Sequence, residues 1–425
     1  MVYKILDLFA GAGGFSLGFE NIRDKKNVPT FEMFKAVEID KYACDTLRTN
    51  FGYDKVIEGD ITNKKIHDRI INECNGKIDL IIGGIPCQSF SLIGTRTGKK
   101  KKNEDKRDIL YMEYFEIVKN LKPKIIVIEN VKGILSKKDK HGNLIFENII
   151  KDFERLGYSF ETEEDKKYML LNAADFGVPQ KRERIFVVGL RNDIFPNIKV
   201  PVPKKTHGKN KNLFPYVTLL DSIGDLPKVY PKVTGTGLTT LIRSRLMKKN
   251  RRIYNGEEAK PYDRTDLIKH ISNNVIRKNF FQFVRPNGCA LYHHIARSQQ
   301  LSDIMLYKGM KQGWTAKDVM EKGGMLKQYI KYDMGSFKDK YRKQKWLEPS
   351  TTIFAHLEKD GNRFIHPTQA RTFTPREAAR VQSFPDDFLF EGPLSKKFKQ
   401  IGNAVPPILA FHTGLVIKTI FEETK

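Results

Sequence analysis

Four residues spread over the first half of the chain carry side chains with reactive potential. Cys87, in GGIPCQSFS, is a thiol that follows Pro86 at the end of an apolar run. Glu129, in IIVIENVKG, closes the next apolar run, and Arg182 and Arg184, in FGVPQKRERIFVVGL, open a later one. A cysteine is more often inert packing than chemistry. An ordinary thiol, with a pKa of about 8.5, also needs a cationic or dipolar setting to attack efficiently at neutral pH. Glu129 reads as a candidate acid or as a simple helix cap. Arginines two apart at a strand start share one face, suited to a salt bridge or to holding an anion or a carbonyl oxygen. What unites the four is position, because each lies where an apolar run meets the same predicted sheet edge.

A second constellation lies upstream. In ILDLFAGAGGFSLGFE an apolar run ends in a loop with Gly11, Gly13 and Gly14, then a predicted helix containing Gly18. Glycines there let a ligand approach the backbone. The spacing is not G-x-G-x-x-G, since position 16 is serine, which counts against a dinucleotide pyrophosphate site. Glu38 and Asp60 end the next two runs. A carboxylate at the second strand tip can accept from ribose hydroxyls, and one at the third from an adenine amine, which describes an adenosine pocket. The plainer alternative makes both of them helix caps. Phe9, before the glycines, is either core or a π face for a sulfonium cation. GTRTGKK is one residue short of a phosphate loop and lacks the following Ser or Thr.

The elements that must position these groups are legible as runs at 3–9, 33–39, 55–59, 78–82, 124–128 and 184–190. Each is rich in Ile, Val or Leu and most are followed by a longer amphipathic segment. The fold class is α/β, a doubly wound, Rossmann-like, mostly parallel sheet. From about residue 196 prolines cluster and basic stretches such as RSRLMKKNRR appear, which places a boundary there. IFAHLEKDGNRFIH reads as a hairpin turning at Asp360-Gly361. In TPREAARVQSF, Thr374 caps a helix, Pro375 enters its first turn and Glu377 completes a capping box. The last segment, IGNAVPPILAFHTGLVIKTIFEE, reads as a loop feeding an amphipathic helix.

With 425 residues, two domains are the natural expectation, and a net charge of +25 makes a polyanion the leading guess for the partner. No apolar stretch of membrane-spanning length is read, and no signal peptide, so a cytoplasmic protein with no membrane attachment is expected. Cys44, Cys74, Cys87 and Cys289 show no zinc-like spacing, and adjacent His293 and His294 would face opposite ways in a strand. No metal is expected.

The ordered set DLFAGAGGFSLGF, GGIPCQSFS, IENVKG, QKRER, TPREAARVQSFP and QIGNAVPP closely resembles the DNA cytosine carbon-5 methyltransferases, over residues 3 to about 195 and again from about 350 to 425. The resemblance implies S-adenosyl-L-methionine as cofactor and double-stranded DNA as partner. It implies that Cys87 adds to carbon 6 of a flipped-out cytosine, that Glu129 works at ring nitrogen 3, that Arg184 contacts oxygen 2, and that Arg182 acts from farther back. Phe9, Ala10, Gly11, Gly13, Gly14, Glu38, Ile39, Asp60, Ile61, Pro86, Leu110, Asn403 and Val405 would line the cofactor. Gln88, Ser89, Arg96, Lys99, Lys100, Arg107 and Arg297 would meet DNA, with affinity that falls steeply with salt. Residues 89–110 resemble the family's mobile loop, departing from it at Arg107-Asp108, where the family often has Arg-Gly.

The expected layout is a catalytic domain over 1–195, a target-recognition domain over 196–391 and a segment over 392–425 that returns to the catalytic domain. A monomer is expected, and the single-chain layout suggests one half of a restriction-modification pair with a cognate endonuclease. Three other readings are weighed. A transfer-RNA methylating relative would carry a Cys-Phe-Thr signature that this chain lacks, a silent DNA-binding module would not need the nucleophile, and a dehydrogenase is disfavoured by the glycine spacing.

Overall fold

A computed structural model of the chain describes residues 2–85, 106–139, 142–234, 280, 283–284, 290–331 and 340–424. Its contacts divide the chain into two units. One comprises Met1–Phe176, Arg182–Thr206 and Ala404–Lys425, the other Gly177–Lys181 and His207–Asn403.

The first unit is built on an eight-stranded sheet. Strands β1 (Tyr3–Leu8), β2 (Phe31–Glu38), β3 (Val56–Glu58), β4 (Leu80–Gly84) and β5 (Ile125–Asn130) run parallel in the order β3-β2-β1-β4-β5. β9 (Glu183–Arg191) joins β5 antiparallel, and β6 (Tyr158–Ser159) and β7 (Met169–Asn172) pair with β9, so the sheet is mixed; the two-residue β8 (Gln180–Lys181) lies outside this sheet. All six expected runs are strands. β6 and β7 escape sequence reading because two and four residues show little alternation.

The chain steps outward from β1 to β2 and β3, then returns to place β4 on the other side of β1. This switch point opens a crevice at the carboxyl ends of β1 and β4, where doubly wound sheets take ligands. Helices α1 (Gly14–Glu20), α2 (Lys41–Phe51), α3 (Lys64–Cys74), α4 (Lys106–Leu121) and α5 (Ile145–Arg155) connect these strands. Asp40 and Asn63 cap α2 and α3 by accepting from the amides of Tyr42 and Lys65. The strands bury near-continuous Ile, Val and Leu, as parallel strands covered on both faces must.

The helix Pro407–Glu423 buries residues around most of its circumference and packs on α1, where a Cβ at Gly18 would come within 2.4 Å of Ala410 and of the Pro407 carbonyl. Tyr3 of β1 stacks on Phe421, with ring centroids 3.8 Å apart. The longer stretch Leu394–Glu423 is apolar enough to cross a membrane by length and composition, yet 72% of its apolar window is buried in the protein, as in a core helix.

In the second unit the helix Pro375–Val381 has the expected cap. The Thr374 hydroxyl accepts from the Glu377 amide, the Glu377 carboxylate accepts from the Thr374 amide, and Pro375 sits in the first turn. The expected hairpin over 353–366 is a correction. The segment forms two single 3-10 turns, Ala355–Glu358 and Asn362–Phe364, and Gly361 is right-handed at φ −89°. A two-residue hairpin turn needs left-handed backbone there. The Asp360 carboxylate instead accepts from the Asn362 amide, while Leu357, Phe364 and Ile365 are pulled into the core.

His293 and His294 are in no strand. His293 has φ 63°, and His294 is buried between the Thr374 hydroxyl and the Pro227 carbonyl. Among the described residues, no cluster of His, Cys, Asp and Glu is arranged to hold a metal.

Candidate active site

The glycine loop after β1 is held by hydrogen bonds from its own backbone. The Ala10 amide donates to the Val37 carbonyl (3.1 Å) and the Gly13 amide to the Ala10 carbonyl (2.8 Å). Phe9, Gly11 and Gly13 are all left-handed, at φ 59°, 55° and 79°. The two inner glycines serve different ends. A Cβ at Gly13 would strike Phe51 and Leu47 of α2 at 2.6 and 2.8 Å, so Gly13 allows helix packing. At Gly11 a Cβ would meet nothing within 4 Å, so this backbone faces open space.

Glu38, at the tip of β2, is fixed by three amides. Oε2 accepts from Gly11 (2.8 Å), and Oε1 accepts from Ile39 (2.9 Å) and Asp40 (2.8 Å). It is not the cap of α2, which is Asp40. Next to it Ile39 is 64% exposed, an apolar side chain facing solvent at the crevice rim. Asp60 is exposed, its Oδ1 accepting from the amide and hydroxyl of Thr62 (2.9 and 2.8 Å), and the cap of α3 is Asn63. Ile61 and Val405 are buried, while Ala10 and Leu110 are half-buried against the core. Gly14 opens α1 and is buried.

This loop suits an adenosyl group. It combines an immobilised carboxylate for ribose, an exposed aliphatic face for a base, and backbone with no side chain in the way at Gly11. Asn403, also expected to line the cofactor, is the exposed last residue of a helix in the second unit.

At the carboxyl end of β5, Glu129 meets Arg184 of β9, with Arg184 Nε donating to Glu129 Oε1 at 2.9 Å. Both side chains are only about one-eighth exposed, at 13% for Arg184 and 12% for Glu129. Gly84 is the register partner of Glu129 on β4, and a Cβ there would lie 3.3 Å from Glu129 Oε2. Glycine at this position keeps the carboxylate's second oxygen clear. Lys132 and Glu183 form an exposed pair nearby, at 3.5 Å.

Arg182 is buried. Its Nη2 donates to the Ala404 carbonyl (3.1 Å), and its amide donates to the Asn172 side chain (3.2 Å). Burial, and then the charge of Arg184, push its pKa down, with Glu129 opposing. Such a residue supports the site from behind. Sequence reasoning did not single out Asn172, whose side-chain oxygen bridges the Arg182 and Ala174 amides (both 3.2 Å).

Pro86, Cys87, Gln88, Ser89, Arg96, Lys99, Lys100 and Cys289 lie outside the described residues, as does the basic stretch 243–252. Arg107 falls in the first turn of α4, with its side chain outside the described set. Arg297 is described. Its Nη2 donates to the carbonyls of Leu357 (2.7 Å) and Glu358 (3.2 Å), and its guanidinium lies 4.6 Å from the Phe398 ring centroid.

A mixed α/β sheet with a crevice at its switch point and a sheltered acid–guanidinium pair at its carboxyl edge places this chain among the α/β proteins that bind a ligand at that edge. The C-5 cytosine-specific DNA methylase family model matches residues 3–419, and the chain belongs to that family. It is a DNA (cytosine-5-)-methyltransferase.

Relatives extend over nearly its whole length. The type II methyltransferase M.DdeI of Desulfomicrobium norvegicum is 32% identical over 99% of this chain and 89% of its own. M.AgeI of Thalassovita gelatinovora is 30% identical over 98% of this chain and 99% of its own. In fold, the chain is similar to a crystal structure of a prophage-encoded E. coli protein described as a DNA modification methyltransferase, with TM-score 0.63, 23% identity and 99% of each chain covered.

Proposed function

We propose that this protein methylates carbon 5 of a specific cytosine in duplex DNA, using S-adenosyl-L-methionine, with the base turned out of the helix and bonded transiently to Cys87. The observation that carries this reading is the Glu129–Arg184 pair, whose Glu129 stands on the strand next to the one that leads to the Cys87 segment. Cytosine carbon 5 is a poor nucleophile in the neutral ring. Addition of the Cys87 thiolate at carbon 6 delivers the electron pair that carbon 5 lacks. In this reading Glu129 holds a proton at ring nitrogen 3, which takes up the charge that addition places on the ring, and the Arg184 guanidinium donates to oxygen 2.

The cofactor supplies an electrophilic methyl on a sulfonium centre. Carbon 5 would take the methyl as the donor leaves as its neutral thioether; loss of the carbon-5 proton to water would return the electron pair that expels Cys87 as thiolate, and the proton at nitrogen 3 would go back to Glu129. Glu38 would hold the ribose, Ile39 and Asp60 the adenine, and Phe9 would face the sulfonium. Arg182 is a positioning residue in this scheme. The base must leave the stack because its ring faces are covered in the duplex.

The second unit, with the basic residues between 196 and 391, would be the target-recognition domain, read through phosphates for affinity and base edges for sequence. The protein would act as a cytoplasmic monomer that protects host DNA beside a cognate endonuclease, and the names of its relatives, type II methyltransferases, support the last part of that reading. The test is trapping. With S-adenosyl-L-methionine, duplex DNA carrying 5-fluorocytosine should form a denaturation-stable adduct with the protein and none with Cys87→Ser. Adduct formation on transfer RNA instead of duplex DNA would overturn the substrate assignment, and no adduct on either would overturn the mechanism.

A further inference from the structure

Beneath the glycine loop lies a polar pair that the chemistry above does not use. Asp7 sits in β1 between Leu6 and Leu8, all three at most 1% exposed, and the Ser16 hydroxyl of α1 donates to its Oδ2 at 2.6 Å. Ser16 is itself fully buried. A carboxyl inside an apolar parallel strand is costly unless it is hydrogen-bonded, and any apolar residue would pack there more cheaply. The pair spans the loop. It ties the strand before Phe9 to the helix after Gly14, while Val37 and Glu38 hold the loop from the side through the amides of Ala10 and Gly11. A loop with three left-handed residues, one of them a phenylalanine, keeps its shape only where its surroundings over-determine it.

We infer that the buried Asp7–Ser16 hydrogen bond is a clamp that fixes the glycine loop in the shape its adenosyl ligand requires, making Asp7 a positioning residue for the methyl donor. The inference rests on the donor reading above. Electrostatics agree with the geometry. Burial pushes the Asp7 carboxyl up to about 7, the Ser16 hydrogen bond pulls the other way, and the charge of Glu38 on β2 pushes it up further. Among the described residues Tyr114 of α4, wholly buried, also feels the charge of Asp7, and burial first of all pushes its pKa well up. Raised in this way, Asp7 holds the loop with less negative charge beneath it than an ordinary carboxylate would carry.

The test is calorimetric binding of S-adenosyl-L-methionine to the full-length protein, with melting of the ligand-free protein followed from about pH 5 to about pH 8. Ser16→Ala and Asp7→Ala are expected to weaken binding by about tenfold or more, whereas Asp7→Asn, which still accepts from Ser16, stays within about threefold of the parent. The parent's melting should carry a pH dependence that Asp7→Asn lacks. If Ser16→Ala binds as the parent does, or Asp7→Asn loses as much as Asp7→Ala, the clamp is wrong while the donor reading stands. A parent protein that binds no S-adenosyl-L-methionine would overturn the donor reading and the clamp with it. Melting of Asp7→Ala identifies a misfolded variant, and Ser16→Ala then decides.

Discussion

Arg184 Nε lies 2.9 Å from Glu129 Oε1, joining the carboxyl end of β5 to the start of its antiparallel neighbour β9. The pair is too sheltered to be a surface ion pair and too accessible to be a core one. An acid positioned this way is worth about 10²–10⁴ in rate. Glu129→Gln should therefore lower single-turnover methyl transfer by about that factor and leave the melting temperature nearly unchanged. Arg184→Lys, which loses the planar fork, should lower it by roughly tenfold or more. A Glu129→Gln protein with parental turnover would remove Glu129 from the chemistry.

Glu38 makes a second, separable prediction. Its carboxylate accepts from three amides before any ligand arrives, so its position is set by the protein. Hydrogen bonds to charged groups contribute about 1.5–3 kcal/mol. Glu38→Ala should weaken S-adenosyl-L-methionine binding by about tenfold to a hundredfold, measured by calorimetry, while binding of duplex DNA in the absence of cofactor stays near parental. Ile39→Ser, which removes exposed apolar surface but no hydrogen bond, should have the smaller effect on the same binding curve.

What the sequence revealed and what it concealed divide along physical lines. β1 to β5 and β9 were readable because strands buried on both faces are unbroken apolar runs, and Thr374, Pro375 and Glu377 were readable because a capping box is local. The hairpin at Asp360-Gly361 misled. A turn signal counts only where flanking residues alternate, and Leu357, Phe364 and Ile365 are instead all buried. The Glu129–Arg184 pair was legible as two residues at one edge but not as a contact, since a register between strands far apart in the chain leaves no local mark. Asp7–Ser16 left one visible trace, an acid inside an apolar run.

Gly402 and Gly18 each mark a close approach of backbone from a different element. A Cβ at Gly402 would lie 2.4–2.5 Å from the backbone of Phe354 and Ala355, and one at Gly18 would lie 2.4 Å from the Pro407 carbonyl. Backbone cannot swing aside as a side chain can. Gly402→Ala and Gly18→Ala should each destabilise by about 1–3 kcal/mol or more, read by chemical denaturation. Gly11→Ala meets no neighbour but carries left-handed strain, so it should cost less in stability, about 1 kcal/mol, and more in cofactor affinity.

The two units should respond to acid in opposite directions. In the second unit, Arg371 grips Glu377 through two 2.7 Å hydrogen bonds, and Arg380 grips Asp386 and Asp225, all fully or almost fully buried. Burial would raise Glu377, but the charge of Arg371 overrides it and holds its carboxyl well below the usual range. Around this lattice burial lowers His293 to about 2, His294 to about 4 and His366 to about 3. These histidines stay neutral in the folded unit while the unfolded chain protonates below about 6.5. Stability they hold above that pH is lost as pH falls, by about 1.4 kcal/mol per pH unit for each proton. In the first unit Asp7 has the reverse sign. Its carboxyl is protonated when folded up to about pH 7 and ionised when unfolded above 3.8, so acidification toward pH 4 adds stability. Hydrogen exchange at about pH 7 and about pH 5, corrected for the intrinsic rate, should show protection rising in β1 and falling in the helix Pro375–Val381. Glu377→Gln, which strands Arg371, should cost about 3–5 kcal/mol in the second unit. Parallel shifts in both units on acidification would mean that the buried histidines and Asp7 do not govern the pH response.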